Sequence, residues 1–435
     1  MWNDRKWTIL GQDPAVLQAI WANVVSWLVS ALYPSLLPRL LPPSDYEIVT
    51  KTIATTEEIT RCISIGRPGG LEQLRLVSLQ PNIVTKGYNV VDGSPFIRDD
   101  QLPEDCVVVD NHAFSVNYAD CCIRWGLYES AKQYVGWPIV PGFDVAGQVT
   151  QTSGQFNKGD RVFGCSLFGA YSTRIAIPAQ QLRKIPESMS FAQAASLPAV
   201  SLTALYALHL AGHYPSSGLK RKNTAILIHS AAGGVGSMAV QMAKQLGLHP
   251  IVGVVGQTHK VEAALALGCH YVIDKSQQDL WTEARRVSES GYSAILDPNG
   301  VSTLLDSYNH LCPTGRLVVY GFHSNLPLGR DMLSPWQWIQ MGRKMNNMPK
   351  FDPMDLVVSS KSVLGFNLSF FADETDLVSS LFNQVCEWLE DGALRCPRVV
   401  EMEIERIGEA HQLIMSGQSI GKIVVTTREE EPDEI

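Results

Sequence analysis

The chain has no Cys-x-x-Cys pair, and its nine cysteines, at 62, 106, 121, 122, 165, 269, 312, 386 and 396, are scattered and odd in number. That argues against a disulfide framework and fits a reducing compartment. Charge is scarce as well: 18% of residues are charged, and 43 acids against 35 Lys and Arg give a formal −8. Five of those acids fall between Glu429 and Ile435, so the rest of the chain stands near −3 once that tail's −5 is set aside. A body so close to neutral lacks the basic excess of a nucleic-acid binder. No internal repeat occurs, and the acidic tail is the one low-complexity piece. With 45% hydrophobic residues, 34 Gly and 24 Pro, the composition excludes a disordered, collagen-like or polytopic membrane protein. A length of 435 residues suggests two or three domains able to bury a core without metal or disulfide clips.

One stretch lacks charge altogether. Between Pro14 and Pro38 no charged residue occurs, and Ala15–Tyr33 as a helix would be about 28 Å long, enough to span a hydrocarbon core. Gln18, Asn23, Ser26 and Ser30 form a thin polar stripe, so an interfacial helix or one packed on protein fits too. Asp4 and Asp13 blunt the charge asymmetry that Arg5 and Lys6 would give. A cleaved signal peptide ending near Val29-Ser30-Ala31 is disfavoured by Asp13 ahead of the apolar run. Trp21, Trp27 and Tyr33 recur every six residues and so spread around the helix, which favours burial on most sides. The expectation is a membrane tether through residues 15–33. Pro34, Pro38, Pro42 and Pro43 then end the helix and mark a linker.

From about Thr50 to Val200, short β-like runs such as Cys106–Asp110, Asp144–Thr150, Arg161–Gly164 and Tyr171–Ile177 are broken by Gly and Pro. After Leu202 the rhythm becomes strand, helix, strand. Thr224–His229, Pro250–Val255, Tyr271–Ile273, Ser293–Asp297 and Arg316–Tyr320 read as buried strands, with helices over Ser237–Leu246 and Thr258–Leu267. This alternation predicts a parallel sheet with helices on both faces. A segment with Trp336, Trp338, Arg330, Arg343, Lys344 and Lys350 follows. From Ser362 short strands return around a helix near Leu377–Leu389.

The strongest motif is the turn Ser230-Ala-Ala-Gly-Gly-Val-Gly236 between the first parallel strand and its helix. Strand, small-residue turn and helix N-terminus together form a dinucleotide phosphate site. Ala232, Gly233, Gly234, Val235 and Gly236 are the expected phosphate-contacting residues, with Ala231 where the usual fingerprint has its first Gly. Gly233 would let the backbone approach the pyrophosphate, and Gly236 would let the helix pack on the strand. An NAD site wants an acid about twenty residues on, at the end of the second strand. Here Gly253-Val-Val-Gly-Gln-Thr-His-Lys260 has none. Thr258, Lys260 and Lys275 are instead candidates to hold a 2′-phosphate, so NADPH is the expected cofactor.

With these residues in view, the chain resembles a medium-chain dehydrogenase/reductase. It is similar to the zinc-independent quinone oxidoreductase branch and, within it, to the VAT-1-like group. The landmarks include Val116-Asn-Tyr-Ala-Asp-Cys-Cys-Ile-Arg-Trp-Gly-Leu-Tyr128, Pro138-Ile-Val-Pro-Gly-Phe-Asp-Val-Ala-Gly147 and Lys158-Gly-Asp-Arg-Val162. Further along come Ala194-Ala-Ser-Leu-Pro198, Leu202-Thr-Ala204 and Gly421-Lys-Ile-Val-Val425. Lys361-Ser-Val-Leu-Gly-Phe-Asn-Leu-Ser369 carries the VAT-1-like resemblance.

The resemblance implies an α/β fold: a Rossmann-type doubly wound parallel sheet inserted in a GroES-like, β-rich catalytic domain. The corresponding boundaries are an N-terminal helix and linker over 1–49, the first catalytic part over 50–200 and the nucleotide-binding domain over 201–360. A return segment over 361–427 and an acidic tail over 428–435 complete the chain. Zinc-dependent relatives place a Cys ligand and Gly-His-Glu where this chain has Asn117-Tyr-Ala-Asp120 and Gly142-Phe-Asp144, so no metal is expected. Cys121 and Cys122 are adjacent, which is poor ligand spacing, and read as small buried residues.

In the family, Asn at 117 contacts the nicotinamide side of the cleft and Thr at 203 starts the helix beside it. Tyr128 lines the substrate pocket, a weak proton donor because an ordinary phenol titrates near 10. Asn117 and Tyr128 are the catalytic candidates. The implied activity is NADPH-dependent hydride transfer to a quinone or α,β-unsaturated carbonyl, by a cytoplasmic and membrane-associated homodimer. The rival reading is a membrane-associated structural or regulatory protein that keeps the nucleotide fold with little turnover.

Overall fold

The computed structural model describes residues 60–79, 82–84, 96–98, 105–214, 222–323, 335–371 and 374–427. The apolar segment Ala15–Tyr33 and the acidic tail lie outside them.

Two sheets carry the fold. In the first, the long strand Cys106–Val116 sits centrally, antiparallel to Asp144–Val149 and Arg174–Pro178. Its Val107, Val109, Phe114 and Val116 side chains fill one core with Val145, Val162, Ile175 and Tyr171. The last strand, Lys422–Thr426, returns from the far end of the chain to pair with the same strand, Ile423 opposite Val116. The last strand of this layer therefore lies beside one some 300 residues earlier, with the whole parallel sheet inserted between Leu182–Lys184 and the return.

The second sheet has six strands in the order Tyr271–Asp274, Ile251–Val255, Ile226–His229, Tyr292–Asp297, Leu311–Val319, Ser362–Gly365. All its pairings are parallel. Ile226–His229 and Tyr292–Asp297 are buried end to end, as strands covered on both faces must be. The strand order reverses between these two, and ligands of such sheets bind outside the carboxyl ends at that point. A GroES-like β layer joined to a Rossmann-type parallel sheet is the architecture the sequence led us to expect.

Three elements differ from the sequence reading. Ser362–Gly365, read as part of the β-rich return, is instead the sixth strand of the parallel sheet, beside Leu311–Val319. A four-residue apolar run carries no sign of which sheet it joins. The helix after the phosphate turn begins at Gly234 rather than Ser237. The next begins as a 3-10 turn, Thr258–Lys260, before Val261–Leu267.

Between the sheets lies the apolar stretch Phe191–Leu210, the one described segment long and apolar enough to cross a bilayer, and 72% buried. A capping box starts it: Gln193 N–H donates to Ser190 Oγ at 3.1 Å and Ser190 N–H to Gln193 Oε1 at 3.0 Å. Pro198 opens its second helix, Pro198–Leu210, where a missing N–H costs nothing. Its Leu and Ala side chains pack with Ala113, Phe163, Ile228 and Met238 in a core shared by both layers.

Candidate functional site

The phosphate turn is built by backbone geometry. Ile226–His229 ends, Ser230 takes a left-handed φ of 55°, and Gly233 is the N-cap of the helix Gly234–Gln245. Ser237 N–H donates to Gly233 O at 2.8 Å. The N–H groups of Gly234, Val235 and Gly236 precede the first intrahelical bond and face the carboxyl edge of the sheet. A Cβ on Gly236 would press into the Ser230 carbonyl, so this glycine sets the close packing of helix on strand. A Cβ on Gly233 would stand 3.3 Å from Ser230 O, so that position constrains packing far less.

Gly421 N–H donates to Ala232 O at 2.9 Å, so the returning strand of the first layer is tied directly to this turn. The next residue, Lys422, is 4% exposed. Its stem lies over the start of the helix: a Cβ on Gly234 would meet Lys422 Cδ at 2.9 Å. Its ammonium donates to Asn117 Oδ1 at 2.7 Å and Val116 O at 3.2 Å, and stands 3.7 Å from Asp144 Oδ2. Burial pulls the Lys422 ammonium below its ordinary value, and Asp144 and Asp120 oppose that pull.

Asn117 follows the strand Cys106–Val116 and is the N-cap of the helix Tyr118–Arg124. Its Nδ2 donates to Asp144 Oδ2 at 2.8 Å, so both ends of the amide are fixed. Asp144 also accepts from Ser115 Oγ and, at 2.6 Å, from Ala199 N–H. Asp120 accepts from Asn117 N–H at 2.8 Å, Gly142 N–H at 3.1 Å and Tyr171 OH at 3.0 Å. Burial pushes the Asp120 carboxyl up to about 7. Tyr171 OH also lies 3.3 Å from His411 Nε2, and Cys121 Sγ lies 3.4 Å from His411 Nδ1.

The positions that hold zinc in zinc-dependent relatives are therefore occupied by a hydrogen-bonded network. The Asp144 carboxylate is taken up by three donors, with a buried ammonium beside it. Among the described residues no group of three His, Cys, Asp or Glu is arranged to hold a metal ion. Cys121 is buried, as expected, while Cys122 is only half-buried.

Tyr128 is the N-cap of Glu129–Tyr134. Its hydroxyl lies 3.0 Å from both Asn367 Oδ1 and Ser369 Oγ, just beyond the sixth parallel strand. Phe143 and Phe168 flank its ring at 6.0 and 6.4 Å. Burial pushes the phenol up to about 12, so it donates hydrogen bonds rather than protons.

Thr203 departs from its expected place. It lies inside the helix Pro198–Leu210, not at its start, and its hydroxyl donates to Ala199 O at 2.6 Å. Lys260 departs further: its ammonium donates to Gly417 O at 2.5 Å and Ser419 O at 2.8 Å, so in this state it binds backbone carbonyls. Thr258 Oγ1 donates to Asp274 Oδ2 at 2.6 Å. Asp274, the acid that does reach this edge, comes from the third strand and is opposite Val255. Its other oxygen accepts from Ser276 N–H at 2.9 Å and Ser276 OH at 2.6 Å. Lys275 places Cε 3.6 Å from where a Gly256 Cβ would be. In the sequence Lys422 stands out only within the motif Gly421-Lys-Ile-Val-Val425, and its burial beside an asparagine 305 positions away carries no local signal.

Comparisons with known proteins agree with this fold. The model of the alcohol dehydrogenase GroES-like domain matches residues 103–187, and that of zinc-binding dehydrogenases matches 234–383. A synaptic vesicle membrane protein VAT-1 homolog from Danio rerio is 28% identical over 357 residues, covering 79% of this chain and 69% of the relative. A quinone oxidoreductase from Homo sapiens is 26% identical over 379 residues, covering 86% and 99%. The crystal structure of a quinone oxidoreductase from Pseudomonas syringae pv. Tomato DC3000 superimposes with a TM-score of 0.66 at 26% identity, covering 85% and 100%.

Proposed function

Because the chain belongs to the medium-chain dehydrogenase/reductase family, we propose that it is an NADPH-dependent oxidoreductase that delivers hydride to a quinone or α,β-unsaturated carbonyl without zinc. The observation that carries this reading is the direct bond from Gly421 N–H to Ala232 O, which sets the phosphate turn against the Asn117–Asp144–Lys422 cluster. The N–H groups of Gly234, Val235 and Gly236 would hold the pyrophosphate, helped by the helix dipole. The bound nicotinamide would supply the hydride. The chain's own part is positioning: Lys422 and Asp144 fix the Asn117 amide, and Tyr128 offers a hydrogen bond among aromatic walls.

NADPH is favoured over NADH because no acid ends the second strand and the Asp274 carboxylate is already engaged by Thr258 and Ser276. Lys275, with Lys260 released from its carbonyls, would meet a 2′-phosphate. Zinc does not fit, since Phe143 stands at the His of the relatives' Gly-His-Glu and the Asp144 carboxylate beside it takes three donors and faces Lys422.

The test is NADPH and NADH binding, followed by oxidation over a panel of quinones and enones. We expect NADPH to bind at least tenfold more tightly, acceptor-dependent turnover, and no stoichiometric zinc on elemental analysis. Equal or tighter NADH binding, or one zinc per chain lost together with activity on chelation, would overturn the respective part. A second reading, a membrane-associated VAT-1-like protein with little turnover, is favoured by the helix Pro335–Asn346. Trp336 and Ile339 there are 58% and 49% exposed, with the Arg343 guanidinium 5.8 Å over the Trp336 ring. Tight NADPH binding without any acceptor-dependent oxidation would select it.

A further inference from the structure

The segment Asn367–Ser369 takes no part in the reaction as proposed, yet it reaches across to the other layer. It follows the sixth parallel strand, Ser362–Gly365, and so lies at the carboxyl edge where ligands of such sheets bind. Asn367 Oδ1 is the focus of the contact. It accepts from Ser369 N–H at 3.1 Å, from Ser369 OH at 2.7 Å and from Tyr128 OH at 3.0 Å. Ser130 OH in turn donates to Ser369 Oγ at 2.9 Å, and Tyr128 Oη is 3.0 Å from that same oxygen.

The count of lone pairs decides how these bonds rank. A carbonyl oxygen has two, and three donors converge on this one. Two of them belong to Ser369, two residues away, and form a local turn that persists whatever the layers do. The phenol is the third donor, from a different layer. Its bond is the one most cheaply exchanged for another acceptor. A phenol has a single proton, so while that proton is directed at Asn367 or Ser369 the hydroxyl presents only a lone pair elsewhere.

We propose that Asn367 and Ser369 are positioning residues for the electron acceptor. They aim the Tyr128 hydroxyl along the carboxyl edge of the sheet and hold its proton in a surplus hydrogen bond that the carbonyl oxygen of a bound acceptor takes over. The aromatic surroundings fix the class of acceptor. Phe143 and Phe168 flank Tyr128, Tyr134 packs in the same apolar cluster, and Phe370 stands 6.0 Å from Tyr134. Such walls suit a flat conjugated molecule, with the Tyr128 hydroxyl as donor to its oxygen. The inference rests on the oxidoreductase reading above and adds which residues select the acceptor.

The experiment is a double-mutant cycle in the full-length chain, with saturating NADPH and 1,4-naphthoquinone as the varied acceptor. Tyr128→Phe and Asn367→Ala are each expected to raise KM for the quinone on the order of tenfold. The double variant should be no worse than the worse single one, because both remove the same hydrogen-bonded unit. Ser369→Ala should give a smaller rise, about threefold, and serves if Asn367→Ala fails to fold. The Kd for NADPH, read by nucleotide fluorescence, should stay within twofold in all of them, which a general loosening of the two layers would not allow. Multiplicative effects, or a silent Asn367→Ala beside a costly Tyr128→Phe, would overturn the assignment. If the wild type oxidises NADPH with no quinone or enone, it is the oxidoreductase reading that falls. The same cycle read by thermal unfolding then decides the contact itself: coupled losses support it, additive ones overturn it.

Discussion

Single residues separate the glycines that shape the phosphate turn from those that merely occupy it. Gly236 has no room for a methyl group because the Ser230 carbonyl fills the space, whereas Gly233 leaves 3.3 Å to the same oxygen. Gly234 is intermediate, since its neighbours at 2.9 Å are the movable Lys422 and Val200 side chains. Gly236→Ala should therefore cost about 2–3 kcal/mol of stability and abolish measurable NADPH binding, as expected for overpacking against backbone. Gly233→Ala should cost under about 1 kcal/mol. Chemical denaturation with a nucleotide titration checks both, and equal effects at the two sites would contradict the packing argument. The fingerprint in the sequence assigned helix packing to Gly236 and the pyrophosphate approach to Gly233; the nearness of the Ser230 carbonyl gives the two positions their ranking in stability.

Among the elements, the returning strand Lys422–Thr426 matters most, because it joins the two layers. Its backbone pairs with Cys106–Val116, the preceding Gly421 bonds the phosphate turn, and its first side chain is a buried cation among Asn117, Val116 and Asp144. Removing one member of a buried ion pair leaves the other charge uncompensated, at about 3–5 kcal/mol. Lys422→Met should therefore lower the free energy of unfolding by about that amount. Lys260→Met should lower it by less than about 1.5 kcal/mol, because this half-buried lysine bonds only two loop carbonyls. Urea titration of the two variants makes the comparison. A Lys422→Met loss no larger than that of Lys260→Met would mean that the strand is held by its backbone alone.

For the whole molecule, the question is where the enzyme works. Among the described residues the single apolar stretch of membrane-spanning length is Phe191–Leu210, and its burial between the layers accounts for its composition. The uncharged segment Ala15–Tyr33 has no such explanation from the described fold, and a tether there would place the site near lipophilic acceptors. Deleting residues up to Pro43 should move the protein from the membrane to the soluble fraction while leaving NADPH affinity unchanged. A full-length protein that is soluble without detergent, or a truncated one that unfolds, would make the segment structural.

The sequence alone determined the order of the elements and the place of the phosphate turn, because both follow from local periodicity. Buried strands read as apolar runs, the helix as small and apolar residues at helical spacing, and the turn as glycines between them. It also showed that the second strand ends without an acid, a fact of composition at a few adjacent positions. What only the tertiary structure decided are the contacts between residues far apart in the chain. Lys422 reaches Asn117, Asn367 reaches Tyr128, Asp274 comes beside Thr258 from the next strand, and Gly417 and Ser419 capture Lys260. None of these has a period or a spacing, since each joins elements that meet only on folding, across the shared core of the two layers or, for Asp274 and Thr258, at the ends of neighbouring strands. Ser362–Gly365 shows the same limit at the scale of a strand. Its four residues would suit either sheet, and pairing with Leu311–Val319 makes it the edge strand of the parallel one.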